Sequence, residues 1–197
     1  MAQVYKFRVK LGELEDYIWR DIEITAASSV AKLGYAILAG FSGTASHLFC
    51  IKANGMRYEF LYEEDDFFEE EVFNPTVVKL SSLKLNIGDR LTMEYDYGAG
   101  WEFDIELISI SEMKNGTGTH YPYITDGSGN GIIEDTAPGI LLEYIDHTIQ
   151  DGTLPTYYDF DSGKETEWDY RKCDLKYLNA FYKIKIAQIK DAYENYE

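Results

Sequence analysis

The sequence predicts an α+β fold: an antiparallel β-sheet built from hairpins, one helix after the second strand, and C-terminal helices packed on the sheet. Three observations carry this. Apolar residues alternate with polar ones along 5–11, 18–24 and 90–110, the period of a half-buried strand. They recur at steps of three and four along 30–41 and 174–196, the period of an amphipathic helix. Asn54-Gly55 separates two short apolar runs, and this dipeptide favours a two-residue hairpin because both turn positions need positive φ.

In order, Tyr5, Phe7, Val9 and Leu11 point one way and Lys6, Arg8 and Lys10 the other. Ile18, Arg20, Ile22 and Ile24 oppose Trp19, Asp21 and Glu23 in the same manner, which pairs the two strands across Gly12–Asp16. Val30, Leu33, Ile37, Leu38 and Phe41 then form a helical stripe, with Ser28 or Ser29 placed to cap it and Gly40 and Gly43 at its end. Strands are expected over His47–Ala53 and Met56–Tyr62. Glu63–Glu71 is an acidic run broken by Phe67 and Phe68, read as a solvated loop or short exposed helix, with a docking surface for a basic partner or a cation as the functional alternative.

A long hairpin follows. Leu91, Met93, Tyr95 and Tyr97 share one face, as do Trp101, Phe103, Ile105 and Leu107, across the turn Gly98-Ala99-Gly100. Residues 114–138 are Gly-, Thr- and Asn-rich without periodicity and read as a long functional or mobile loop. Helices close the chain over Gly139–Gln150 and Asp174–Tyr196, the latter carrying Leu175, Leu178, Tyr182, Ile186, Ile189 and Tyr193 as its stripe. No repeat or Pro/Ser-rich linker demands a second domain, so one domain over residues 1–197 is expected.

Composition narrows the function. The chain has 197 residues, 45% of them hydrophobic, enough for a sizeable core. Eighteen Lys and Arg against 35 Asp and Glu leave a net charge of −17, which disfavours non-specific nucleic-acid binding and anionic membrane surfaces. The longest apolar stretch, Leu33–Phe41, is far short of the roughly 20 residues of a membrane span. Cys50 and Cys173 are far apart without metal-ligand spacing and read as reduced thiols. With no signal peptide at the strand-like N-terminus, a cytoplasmic location is expected.

No catalytic residues are assigned. The only imidazoles are His47, His120 and His147, and no Gly-x-Ser-x-Gly elbow accompanies them. His47 reads as a structural histidine hydrogen-bonded in the sheet. Asp126–Ile133 imitates the start of an EF-hand loop, but the twelfth position is Ala137 where a bidentate Glu is needed. Gly127-x-Gly129-x-Gly131 is neither a dinucleotide fingerprint nor a P-loop. No cofactor or metal ligand is implied.

Two constellations remain. Asp96, Glu102 and Asp104 flank the hairpin turn, and Glu134-Asp135 could approach it, as clustered carboxylates do in divalent-metal sites. Trp19, Trp101 and the tyrosines supply either sheet packing or a flat peptide- or protein-binding surface.

The run Tyr95-Asp96-Tyr97-Gly98-Ala99-Gly100-Trp101-Glu102-Phe103 resembles the plasmid pRiA4b ORF-3-like family, whose signature is of the type Tyr-Asp-aromatic-Gly-Asp-x-Trp-x-His. Ile18-Trp19-Arg20, Ser46-His47-Leu48, Asn54-Gly55 with Tyr58, Tyr121-Pro122 with Glu134-Asp135, and Leu175–Asn179 fall in the family's order, so the resemblance spans roughly residues 3–180. Ala99 stands where the family usually has Asp, and Phe103 and Phe49 stand where it often has His. The resemblance implies an α+β domain of uncharacterised activity, often encoded on plasmids or near mobile elements. The candidate binding residues are therefore Trp19, Arg20, His47, Asp96, Trp101, Glu134 and Asp135.

The expected function is a non-enzymatic binding or interaction module with a protein or peptide partner, the rival being a divalent-metal-dependent hydrolase or nuclease; the family's genomic company adds a third reading, a DNA-associated accessory protein. Because the turn motif and the Glu-Asp loop recur together in the family, Asp96 is expected to meet the 127–136 segment. The favoured form is a latch in which Asp96 accepts backbone N–H bonds from it. Trp19 and Trp101 are expected to be largely buried on strands of one sheet.

Overall fold

The computed structural model describes residues 2–60, 71–113, 120–159 and 162–195; the acidic run 63–70 lies outside them. The N-terminal hairpin is β1 (Gln3–Leu11) and β2 (Trp19–Thr25), joined through a short 3₁₀ turn at Gly12–Leu14. The helix α1 (Val30–Gly40) follows, then β3 (Phe49–Ala53), β4 (Met56–Glu59), β5 (Val72–Phe73), β6 (Arg90–Tyr95), β7 (Trp101–Glu112) and β8 (Tyr123–Ser128). The chain closes with α2 (Pro138–Asp151), the hairpin β9 (Thr156–Asp159) and β10 (Lys164–Glu167), and α3 (Leu175–Glu194). One eight-stranded sheet has the order β5-β4-β3-β6-β7-β1-β2-β8; its described pairings are antiparallel except β4 with β5.

The sheet has a dry face and a wet face, as the alternation requires. Phe7, Val9, Leu11, Ile22, Met93, Tyr95, Phe103, Ile105 and Leu107 are buried on one side. On the other, the Arg8 guanidinium bonds Asp21 and lies 4.1 Å over the Trp19 ring. Trp19 is thus half-buried on the wet face rather than in the core, a correction to the expected burial; Trp101 is buried as expected.

α1 crosses the dry face and is itself covered by α3. Ten of its 11 residues are buried, which explains why it is apolar nearly all round. Ser29 caps it by accepting the N–H of Lys32. A Cβ on Gly34 would sit 2.5 Å from the Phe49 ring, so only glycine allows this approach. The predicted stripe of α3 is buried at Tyr182, Ile186, Ile189 and Tyr193, and the Tyr182 hydroxyl donates to the Ala36 carbonyl at 2.7 Å. Asn54 and Gly55 hold φ of 53° and 76°, the two positive values that the β3–β4 turn needs. Among the described residues, no helix is long and apolar enough to cross a membrane.

Several expectations need correction. Strand β4 stops at Glu59, and β6 stops at Tyr95, so Tyr97 leaves the apolar face of its neighbours, turns outward and donates its hydroxyl to the buried Glu59. Of the expected loop 114–138, residues 114–119 lie outside the described residues, and 123–128 form β8, an edge strand on β2. Its glycine is a packing requirement: a Cβ on Gly127 would lie 2.8 Å from the Arg20 side chain and 3.0 Å from the Trp19 carbonyl. α3 protects that edge, since Asn179 bonds both the N–H and the C=O of Ile124.

Candidate functional site

The hairpin end β6–β7 places Asp96. Its backbone is left-handed, with φ 51°, and its Oδ1 accepts the N–H groups of Gly98 (3.2 Å) and Ala99 (3.1 Å). A carboxylate that folds back on its own turn in this way is what makes Asp tolerable at positive φ. The expected latch to the 127–136 backbone is therefore not formed; Asp96 bonds its own hairpin instead. Its second oxygen, Oδ2, lies 3.4 Å from His47 Nε2.

His47 lies on the loop between α1 and β3, not on the strand expected for it. The loop is held from below: the Tyr193 hydroxyl donates to the His47 carbonyl, and Asp96 N–H donates to the Leu48 carbonyl at 3.1 Å. From above, Asp135 brings Oδ1 to 3.0 Å from the same Nε2. The imidazole thus stands between two carboxylates, with the Tyr95 ring edge-on to it at 5.9 Å. His47 is a bridging group rather than a sheet histidine.

The neighbouring residue Glu134 has a different role. Its carboxylate accepts Thr44 Oγ1 at 2.9 Å and the Tyr95 hydroxyl at 2.8 Å. Burial, reinforced by this carboxylate, pushes the Tyr95 phenol far above its ordinary range, so Tyr95 remains a donor. Ile132 N–H also donates to the Phe41 carbonyl at 2.8 Å. Glu134 and Ile132 together pin the 132–135 segment to the 41–44 loop and hold Asp135 where His47 can meet it.

Exposure falls along the cluster: Asp135 is 69% exposed at its side chain, His47 31% and Asp96 9%. One donor atom from each of the three lies within 4.8 Å of the others. Asp135 also lines a cleft of about 360 Å³ with Thr44, Ser46, Tyr157, Asp159 and Lys185. The cleft's β9 wall and Lys185 were not anticipated, because neither carries a motif.

The other candidate residues lie elsewhere. Arg20 is buried and donates to the carbonyls of Gly40 (3.2 Å), Trp19 (2.8 Å), Ser128 (2.5 Å) and Gly129 (2.8 Å), tying β2 to the end of α1 and to the turn after β8. Desolvation pulls its guanidinium below the usual arginine range. Trp19 stacks under Arg8 on the wet face. Trp101 packs in the core, and its indole N–H is the buried side-chain polar atom left without a partner among the described residues. It lines a separate cleft of about 330 Å³ with Gly12, Glu13, Pro138 and Gly139. Phe103 packs on Phe41 at 5.1 Å and Phe49 on Tyr193 at 5.0 Å, so these two positions supply packing here.

No curated protein matches the chain. Among solved structures, it is similar to the crystal structure of a protein of unknown function, MM3350, from Methanosarcina mazei Go1. The TM-score is 0.70 with 19% identity, over 89% of this chain and 97% of that one. At this identity the likeness establishes the fold. The plasmid pRiA4b ORF-3-like family matches over residues 3–177, and the chain belongs to that family.

Proposed function

We propose that the protein is a binding module whose ligand is a divalent cation of the first transition row, held by His47 Nε2 and the carboxylates of Asp96 and Asp135. The carrying observation is the spacing of these three atoms. A cation bonded at about 2.1 Å sets neighbouring ligands about 3.0 Å apart at right angles and about 3.4 Å apart at a tetrahedral angle. The two separations from His47 Nε2 are 3.0 and 3.4 Å. One imidazole and two carboxylates make a mixed N/O set, which suits Mn²⁺, Fe²⁺ or Zn²⁺ better than Ca²⁺ or Mg²⁺. Three protein ligands leave coordination positions open, and the adjoining cleft gives a partner group or water access to them. The hydrogen bonds of Asp96 to its turn and of Glu134 to Tyr95 would orient the ligands from behind.

Metal titration tests this reading. Mn²⁺ or Zn²⁺ is expected to raise the melting temperature saturably, by the equivalent of about 2.7 kcal/mol at a hundredfold excess over Kd. His47→Gln and Asp96→Asn should abolish the gain; Asn at 96 keeps the oxygen that accepts the turn N–H groups, so the fold is preserved. A gain that survives in both variants, or no saturable gain below millimolar metal, would refute the assignment.

A further inference from the structure

On the face of α3 opposite its buried stripe, Tyr177, Phe181 and Ile184 are 59%, 45% and 58% exposed. At about 100° per residue they fall within one narrow strip, at the spacing i, i+4, i+7 by which a helix anchors in a groove. Tyr177 and Phe181 already touch, with ring centroids 5.1 Å apart. Ala180 and Gln188 continue the strip, exposed and uncharged.

The charge around this strip is unlike the rest of the molecule. Residues 175–188, which span the strip, hold Lys176, Lys183 and Lys185 and no acid, on a chain of net charge −17; farther out, Arg171 and Lys190 are paired with Asp169 and Glu194. Lys176 and Lys183 border one side of the strip, and Lys185 borders the other.

We propose that this face of α3 docks a protein partner that presents an apolar groove or stripe bordered by carboxylates. Apolar anchors between cations call for apolar contact between anions. A second copy of the chain fits less well: stacking two such helices antiparallel about Phe181 and Ile184 sets the lysines of one copy against those of the other. The inference does not rest on the cation assignment, although Lys185 borders both the strip and the cleft beside Asp135.

The test uses two labelled 20-residue helical peptides, each with a leucine stripe, one bordered by glutamate and the other by lysine, followed by fluorescence anisotropy on the intact protein. The glutamate-bordered peptide is expected to bind at least tenfold tighter than the lysine-bordered one and to weaken as salt rises. Phe181→Ser with Ile184→Ser should weaken it at least tenfold. Both side chains are exposed, so an unchanged melting temperature certifies the fold of the variant. Equal affinity for the two peptides, no saturable binding, or binding untouched by the double substitution overturns the proposal. A dimer in sedimentation that the double substitution dissolves also overturns it, in favour of a second copy.

Discussion

Two buried tryptophans give the structure a matched internal test. Trp101 is 1% exposed and Trp168 3% exposed. The Trp168 indole N–H donates to the Gly131 carbonyl at 3.3 Å, whereas that of Trp101 has no partner among the described residues. Replacing either by Phe keeps a six-membered ring in place and removes the pyrrole portion, at a cavity cost of about 1 kcal/mol taken at ~24 cal/mol per Å³. At Trp168 the substitution also removes a hydrogen bond and strands a carbonyl, adding about 1 kcal/mol. At Trp101 it removes a buried donor whose desolvation is uncompensated, which returns about 1–3 kcal/mol. Trp168→Phe should therefore destabilise by about 2 kcal/mol, and Trp101→Phe should lie between neutral and about 2 kcal/mol stabilising. For a chain of this length the two variants should differ in melting temperature by about 4–16 °C, with Trp101→Phe higher. Urea unfolding followed by far-UV circular dichroism measures this without relying on tryptophan fluorescence. A Trp101→Phe variant as destabilised as Trp168→Phe would refute the reasoning, because Trp101 would then have a partner in solution, supplied through the cleft it lines.

Arg20→Lys should lower stability by about 2–4 kcal/mol in the same assay, since a compact ammonium with three donors cannot span four carbonyls set around a planar guanidinium; an unchanged urea midpoint would contradict this. Burial pushes the Cys50 thiol up to about 11 from an ordinary value of 9. The folded state keeps its proton longer than the unfolded state does. The associated stability is complete below about pH 9 and is lost as pH rises from there through about 11. Chemical denaturation across that window should show the decline in the wild type and a flatter profile in Cys50→Ala. Iodoacetamide at pH 8 should label the half-exposed Cys173 well before Cys50, as read by peptide mass; equal labelling would show that the Cys50 wall opens.

Legibility in the sequence followed the range of the interaction. The N-terminal hairpin, the Asn54-Gly55 turn, the Ser29 cap and the buried stripe of α3 all depend on residues within a few positions of one another, and each was readable. So was Arg20 on the inward face of β2, because alternation assigns faces whatever the residue type. Where a local signal was absent or misleading, tertiary packing decided. β8 is a strand because it pairs with β2, and Gly127, which breaks its sequence pattern, is there because Arg20 and the Trp19 carbonyl leave no room for a Cβ. Trp19 was expected to be largely buried, yet it follows the alternation onto the wet face with Asp21, where the Arg8 guanidinium lies over its ring. Asp96 was singled out as a carboxylate beside a turn, but which of its neighbours it would bind was not legible. Its own turn took one oxygen, and His47 took the other.

What the sequence alone determined is the period of each element, the face each residue takes on it, the negative charge and the family. Only the tertiary structure brought His47 between Asp96 and Asp135, the latter 88 residues away, and separated Glu134 from Asp135 into an anchor and an exposed carboxylate beside His47. The physical reason is that backbone periodicity is a local property written into consecutive residues. A site assembled from three loops depends instead on how packed elements close over one another, through bonds such as Tyr95 to Glu134 and Tyr193 to the His47 carbonyl, which leave no repeating trace in the chain.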